Sequence, residues 1–301
     1  MHDPIGTVSK ENGKVIRRLY KELGKDNFLY SNQVEQLVAC NMLINFQIET
    51  NKIIVSNEIP FVTYPYEWCD AQLYDSAVLT LDISQSISKF GYELKDASAW
   101  NVIFEYCKPV FCDHLSFQKI ETQNWWAFGQ FIRHFILPLV LSKYKNLKSH
   151  FAFVLSIDGI QPDFARELLG LKRYLSPFWV LFLSPRNNKL NPVTYKNNQK
   201  PHHHSLYAIL RFLLGFLKLN KSNKNKWIGY KENRDHYASK DLDVKHIVIE
   251  KWIKSIKPSW VIDLGCNTGE YTMIAASLGA VVVAVDQDHD SIQELYLNSK
   301  Q

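Results

Sequence analysis

WVIDLGCNTGEYTMIAASLGAVVVAVD, residues 260–286, decides the C-terminal architecture of this 301-residue chain. WVIDLG is an almost unbroken apolar run, the pattern of a parallel strand buried on both faces. CNTG is a tight loop, EYTMIAASLG has the length and composition of a helix, and AVVVAVD is a second β-branched strand. A further helix is expected from His289 onward. This β-α-β order with short connections is the start of a doubly wound sheet.

The same stretch places polar groups where such sheets bind ligands, at the carboxyl ends of the strands. Asp263 falls near the end of the first strand. Gly265 and Gly269 are expected to let the backbone pass close under a ligand, where a Cβ would collide. The free N–H groups opening the next helix suit a carboxylate. Asp286 ends the second strand, 21 residues after Gly265, and a carboxylate there can accept both hydrogen bonds of a ribose diol. A dinucleotide fingerprint would read Gly-x-Gly-x-x-Gly. Here the spacing is Gly-x-x-x-Gly, and Asp263 would repel a pyrophosphate while welcoming an amino-acid cation.

Asp-x-Gly-x-x-x-Gly with a later strand-end Asp resembles the first two motifs of class I methyltransferases. That resemblance implies S-adenosylmethionine (SAM) as cofactor. It assigns Asp263, Gly265, Cys266, Asn267, Gly269 and Asp286 to the cofactor site. Cys266 reads as a small packing residue rather than a nucleophile, since no histidine lies near it in sequence. The resemblance also suggests a covering aromatic from WIGYKENRDHYAS, with Tyr237 as the lid residue.

Hydrophobic residues make up 46% of the chain and aromatic residues 13%, which supplies two cored domains and excludes a disordered chain. A net charge of +5 and a pI near 8.7 do not by themselves imply nucleic acid. Lysines gathered within residues 218–257 read as a solvated basic linker and helix face. The five cysteines include no CxxC pair and no zinc-like spacing, so a reduced, cytoplasmic chain without a metal centre is expected. The polar N-terminus lacks the apolar core of a signal peptide. Apolar runs at 131–141 and 206–219 fall short of the roughly 20 residues a membrane-spanning helix needs and read as core-facing helices.

The N-terminal part reads as an α+β domain over residues 1–185. A linker and helix follow at 186–225, and the sheet domain begins at 226–301. Helical spacing is expected at 34–46, 70–90, 125–144, 164–171, 206–219 and 241–256, with strands in KIIV and PFVTY and a hairpin of NVIF with PVFCD. The Asn- and Lys-rich stretch 186–205, including His202, His203 and His204, reads as a solvated loop. Asp96 and Asn101 lie five apart in KDASAWN, ahead of a hairpin that ends at Asp113. That order is similar to a kinase-like catalytic loop, in which an Asp orients a hydroxyl and an Asn and second Asp hold Mg²⁺. Leu94 stands where such loops carry His, Asp113 is followed by His-Leu, and no glycine-rich loop is evident. Lys14 and Glu35 are only nominal candidates for the ion pair of that fold. The plainer reading has Asp96 capping a turn, Asn101 starting a strand and Asp113 ending one. Glu67 and Trp68 are expected to pack against this loop.

Taken whole, the chain resembles the NoeA-like family of nodulation proteins, class I SAM-dependent methyltransferases. The resemblance rests on YPYEWCDAQLYDSAVLTLD, LKDASAWNVIFEYCKPVFCDHLSF, RHFILPLVL, SIDGI, WVIDLGCNTGEYT and VVAVDQD. It implies methyl transfer to an acceptor it does not identify, a small molecule or a glycan-related compound. A doubly wound core of this kind needs about seven strands and roughly 150–200 residues. Only 56 residues follow Lys245, so a product truncated within the methyltransferase domain is expected, with bare strand edges and an apolar sheet face. The alternative function is a kinase-like nucleotide-binding or interaction module carrying a vestigial SAM-binding segment.

Overall fold

Asn12 and Gly13 both take positive φ, 51° and 72°, as a two-residue hairpin turn between right-twisted strands requires. They join β1 (Gly6–Glu11) to β2 (Lys14–Leu19). β3 (Phe46–Thr50) and β4 (Ile53–Asn57) complete an antiparallel sheet of order β1-β2-β4-β3. The computed structural model describes residues 5–121, 125–175, 177–178, 203–219 and 239–300. Two compact units divide the chain, Met1–Lys218 and Leu219–Gln301.

In the first unit, α1 (Asn32–Ala39) is shorter than the apolar spacing predicts. Asn41 turns left-handed at φ 53°, and Leu43 leaves the helix to bridge Phe111. PFVTY is not a strand. Prolines at 60 and 65 deny it ladder donors, and Pro65–Glu67 instead forms a 3₁₀ turn whose Glu67 carboxylate accepts the Tyr64 N–H at 2.7 Å. α2 (Asp70–Ser88) is the buried axis of this unit. Its hydroxyls at Ser76, Thr80 and Ser84 donate back to carbonyls four residues earlier, each at 2.8 Å, which lets polar side chains sit in an apolar core.

β5 (Tyr92–Leu94) pairs with β8 (Phe117–Lys119), and β6 (Val102–Glu105) forms the expected hairpin with β7 (Lys108–Phe111). The long helix that follows is interrupted. α3 (Phe128–Phe131) passes through a π-helical turn, Ile132–Ile136, into α4 (Leu137–Lys145). Pro138 explains the widening: it has no N–H, and its ring would strike the carbonyl four residues back. The Arg133 carbonyl is taken up by the Ile160 N–H at 3.0 Å. α5 (Phe151–Leu155) and α6 (Pro162–Leu169) follow.

α7 (His203–Leu217) corrects the loop reading of residues 186–205 at its end: His203 and His204 are helical, and His203 is buried. His203, Tyr207, Leu210, Leu214 and Leu217 recur at helical spacing and face the core together. Tyr207 stacks edge-on to Trp125, and Arg211 pairs with Asp82 on α2. His202 lies outside the described residues. Among the described residues, no helix is long and apolar enough to cross a membrane.

The second unit runs α8 (Ser239–Ile256), β9 (Trp260–Leu264), α9 (Glu270–Ser277), β10 (Val281–Val285) and α10 (His289–Ser299). β9 and β10 are parallel, with Ile262 opposite Val283 and Leu264 opposite Val285. The expected burial of β9 on both faces is not met. Ile262 is 66% and Leu264 76% exposed, and among the described residues β9 and β10 pair only with each other. Residues of the other face, Val261 and Asp263, are half-buried.

Candidate functional site

The parallel pair brings the strand-end residues to one rim. Gly265 donates its N–H to the Val285 carbonyl at 2.8 Å, and Cys266 donates to the same oxygen at 3.2 Å, so the glycine loop is tied to the end of β10. Asn267 takes a left-handed φ of 49° and donates its backbone N–H to Asp286 at 2.8 Å. The other Asp286 oxygen accepts the Asp288 N–H at 2.8 Å. This carboxylate is therefore held in one orientation, and each oxygen keeps a further lone pair. Asp288 caps α10 by accepting the Ser291 N–H.

An open cavity of about 520 Å³ lies at this rim, lined by Leu264, Gly265, Asn267, Val285, Asp286, Gln287, Asp288 and Ser291. Its size falls among pockets that hold small ligands. A Cβ on Gly265 would meet nothing within 4 Å, which leaves its surface open on approach. Gly269 works differently. At φ 86°, a Cβ there would lie 2.2 Å from Leu295 Cδ1, so this glycine admits α10 against the loop. Gly269→Ala is expected to cost about 2 kcal/mol, from the left-handed backbone and the clash together. Urea unfolding of the whole chain reads it. A Leu295→Ala background should remove most of the added cost, and an equal penalty in both backgrounds would rule out the clash.

Asp263 turns toward α9: its Oδ2 accepts the Thr272 hydroxyl at 2.6 Å. Cys266 is buried, and desolvation, reinforced by the neighbouring Asp263 and Asp286 charges, pushes its thiol up to about 12. A protonated thiol of that kind packs rather than attacks. Tyr237, like the rest of residues 220–238, lies outside the described residues. At the start of α9, Glu270 pairs with His246 from α8.

The structure also brings together two of the three kinase-like residues. Asp96 accepts the Ser98 N–H at 3.0 Å, a turn within its own loop. The loop is pinned from α3 and the π turn, where Gln130 accepts the Ala97 N–H at 2.8 Å and His134 Nδ1 accepts the Ala99 N–H at 3.3 Å. Asn101 ends a short 3₁₀ turn before β6 and donates to Ser116 Oγ at 3.3 Å, and Ser116 donates to Asp113. Asp113 is engaged on both oxygens. Arg17 Nη1 donates to it at 2.7 Å, and the Leu115 N–H at 3.3 Å. Burial alone would raise this carboxyl, but Arg17 and the hydrogen bonds from Ser116 and Leu115 outweigh it and hold the group below its ordinary value. A carboxylate so held ties β2 to the loop after β7. Trp68 is buried against Phe104 and donates to Thr63 at 2.9 Å. Lys14 reaches Asn57 rather than a glutamate.

Arg17 is the residue the sequence reading missed. The signal was available: β2 alternates, and Arg17 shares the inward face with Val15 and Leu19, so a cation there needs a partner.

The model of the TehB family, the tellurite resistance protein, matches residues 230–300, the stretch that contains α8 through α10. Nodulation protein NoeA of Rhizobium meliloti (strain 1021) is 27% identical over 301 residues, covering 92% of this chain. The chain spans about 63% of the length of that relative. Among solved structures, the Cydia pomonella granulovirus kinase PK-1 aligns at 11% identity over 70% of this chain and 86% of that one, with a TM-score of 0.28, too low to assign a shared fold. The chain is thus similar to NoeA along most of its length and, over its C-terminal unit, to the TehB family.

Proposed function

We propose that the C-terminal unit is the beginning of a Rossmann-like domain that binds SAM, and that the chain serves methyl transfer to a small-molecule or glycan-related acceptor. The observation that carries this is the cavity at the ends of β9 and β10, where Gly265, Asn267 and Asp286 meet. The residues fit the cofactor on two counts. Gly265 leaves open space where a chain of atoms could lie against the backbone. Asp286, oriented by two backbone N–H groups, retains acceptor capacity on both oxygens for a diol. SAM supplies an electrophilic methyl group on a sulfonium centre. This chain's part is to hold the ribose through Asp286, to lay the amino-acid portion along the Gly265–Gly269 loop, and to exclude water from one side. Asp263 acts behind that loop by fixing Thr272 on α9. The cysteines, all free among the described residues, fit a reducing, cytoplasmic setting.

Isothermal titration of the chain with SAM and S-adenosylhomocysteine tests the reading. Asp286→Ala is expected to weaken binding by about 10–100-fold, the loss of one or two hydrogen bonds to a charged acceptor. Asp286→Asn should fall between the two. If the parent chain binds neither ligand, or if Asp286→Ala binds as well as the parent, the assignment fails.

A further inference from the structure

Three aromatic side chains meet on the surface of the first unit, and nothing in the methyltransferase reading uses them. Tyr64 and Tyr66 flank Pro65, and Trp100 lies in the short 3₁₀ turn Ala99–Asn101. Their ring centroids form a triangle with sides of 5.7, 6.0 and 6.4 Å, and Tyr64 and Tyr66 are 47% and 41% exposed. Single exposed rings are ordinary, but three in contact mark a surface for binding. The cluster is fixed from beneath. Trp100 donates its indole N–H to the Ile157 carbonyl at 2.8 Å and meets Phe153 edge-on at 5.9 Å. Pro65 and the bond from the Tyr64 N–H to Glu67 set the tyrosine turn, so little ordering is left to be done on binding.

Three carboxylates belong to the segments that carry these rings. Glu67 follows Tyr66, Asp96 precedes Trp100 in its loop, and Asp158 follows Ile157. Glu67 and Asp96 each give one oxygen to a backbone N–H, and among the described residues none of the three has an ion-pair partner. Lys10, whose charge bears on Tyr64, is itself held by Glu58 at 2.8 Å. Aromatic faces and carboxylates are both negative, so the cluster is complementary to a cation. The chain as a whole carries +5, so this sign is local and general attraction works against it. Geometry chooses among cations. Rings about 6 Å apart touch one another and leave no hole to enclose a round tetra-alkylammonium group. An open ring surface with unfilled oxygens beside it suits a flat cation with several donors, the guanidinium.

We propose that this face docks an arginine side chain of a partner polypeptide, its guanidinium lying on the aromatic cluster and its N–H groups turned to the carboxylates. A polypeptide fits better than a free guanidine because the apolar surface runs on past the rings. α5 packs against the tyrosine turn, and its Val154 and Leu155, with Ile157 just beyond, are exposed, more than a small molecule covers. A lysine ammonium, compact and strongly hydrated, gains less on such a surface. This proposal stands on the first unit alone and survives or fails apart from the SAM reading.

Titration of the full chain with acetyl-Gly-Arg-Gly-amide is the test, followed by the indole N–H NMR signal of Trp100, which its absence in Trp100→Phe identifies. Saturable shifts in the millimolar range are expected. The citrulline peptide, neutral and of the same shape, should bind at least about tenfold more weakly, and the lysine peptide at least about threefold more weakly. Free L-arginine, whose own carboxylate meets the acidic groups, should also bind more weakly than the capped peptide. Tyr66→Ala should bring the arginine and citrulline peptides level, Glu67→Gln should weaken the arginine peptide about threefold, and Asp286→Ala should change nothing. The peptide comparison uses the parent chain alone, so the outcome does not depend on any variant folding. No saturable shift, equal affinity for the arginine peptide and either of its analogues, tighter binding of free arginine, or loss of binding in Asp286→Ala would each overturn it.

Discussion

Acidification from pH 7 to pH 4 is expected to strip roughly 6 kcal/mol of stability from the first unit, through two buried histidines. Burial pushes His114 and His134 each down from 6.5 to about 4. In the unfolded chain both titrate near 6.5, so between pH 6.5 and 4 the unfolded state binds protons that the folded state refuses. Stability is therefore complete above the unfolded value and falls as pH drops toward the folded one, by roughly 3 kcal/mol for each ring. The groups facing them do not reverse the sign. Around His114, Asp113 raises and Arg17 lowers its affinity for protons; around His134, Arg133 lowers and Asp158 raises it. Asp113, held below its ordinary value, adds to the loss in acid. Glu93 works the other way, since burial raises it and its protonation favours the folded state. The net loss is comparable to the whole stability of an ordinary domain. Trp68 and Trp125 are both buried in this unit, so urea titrations followed by their fluorescence at pH 7, 5.5 and 4.5 measure it. A His134→Gln variant should lose about half the pH dependence. A midpoint that stays level across that range would show that these rings are not buried as neutral bases.

The C-terminal unit could be read from sequence because its information is local. An apolar strand, a glycine loop, a helix and a β-branched strand follow within residues 260–286, and Asp286 sits one residue past β10. What the sequence could not show is which job each glycine does. Gly265 and Gly269 look equivalent in a motif, yet only Gly269 faces Leu295, 26 residues on. Nor does the sequence show that one Asp263 oxygen accepts the Thr272 hydroxyl on α9.

In the first unit the hairpin and α2 were plain from alternation and apolar spacing, while contacts across long sequence distances were not. The Arg17–Asp113 pair joins residues 96 apart, and His134 supports a loop 35 residues earlier. No periodicity encodes either. The π turn before Pro138 also escaped, since an apolar helical pattern continues through Ile132–Ile136 without a break.

Arg17→Met is expected to destabilise the first unit by about 3 kcal/mol, near the lower end for breaking a buried pair by removing one partner. Both side chains are only about a fifth exposed, 22% for Arg17 and 20% for Asp113, so solvent does little to screen the charge left behind. In the variant, burial becomes the dominant influence on Asp113 and its carboxyl rises, so its protonation on mild acidification should offset part of the histidine-driven loss and make the variant's pH dependence shallower than the parent's. The decisive comparison is Arg17→Met with Asp113→Asn. Asparagine keeps an oxygen for the Ser116 hydroxyl and the Leu115 N–H but carries no charge to compensate, so the double variant should recover most of the loss. Chemical denaturation of the parent, both single variants and the double variant gives the coupling energy directly. A double variant as unstable as the sum of the singles would mean that Arg17 contributes packing alone, and that Asp113 is held by Ser116 and Leu115 without need of its cation.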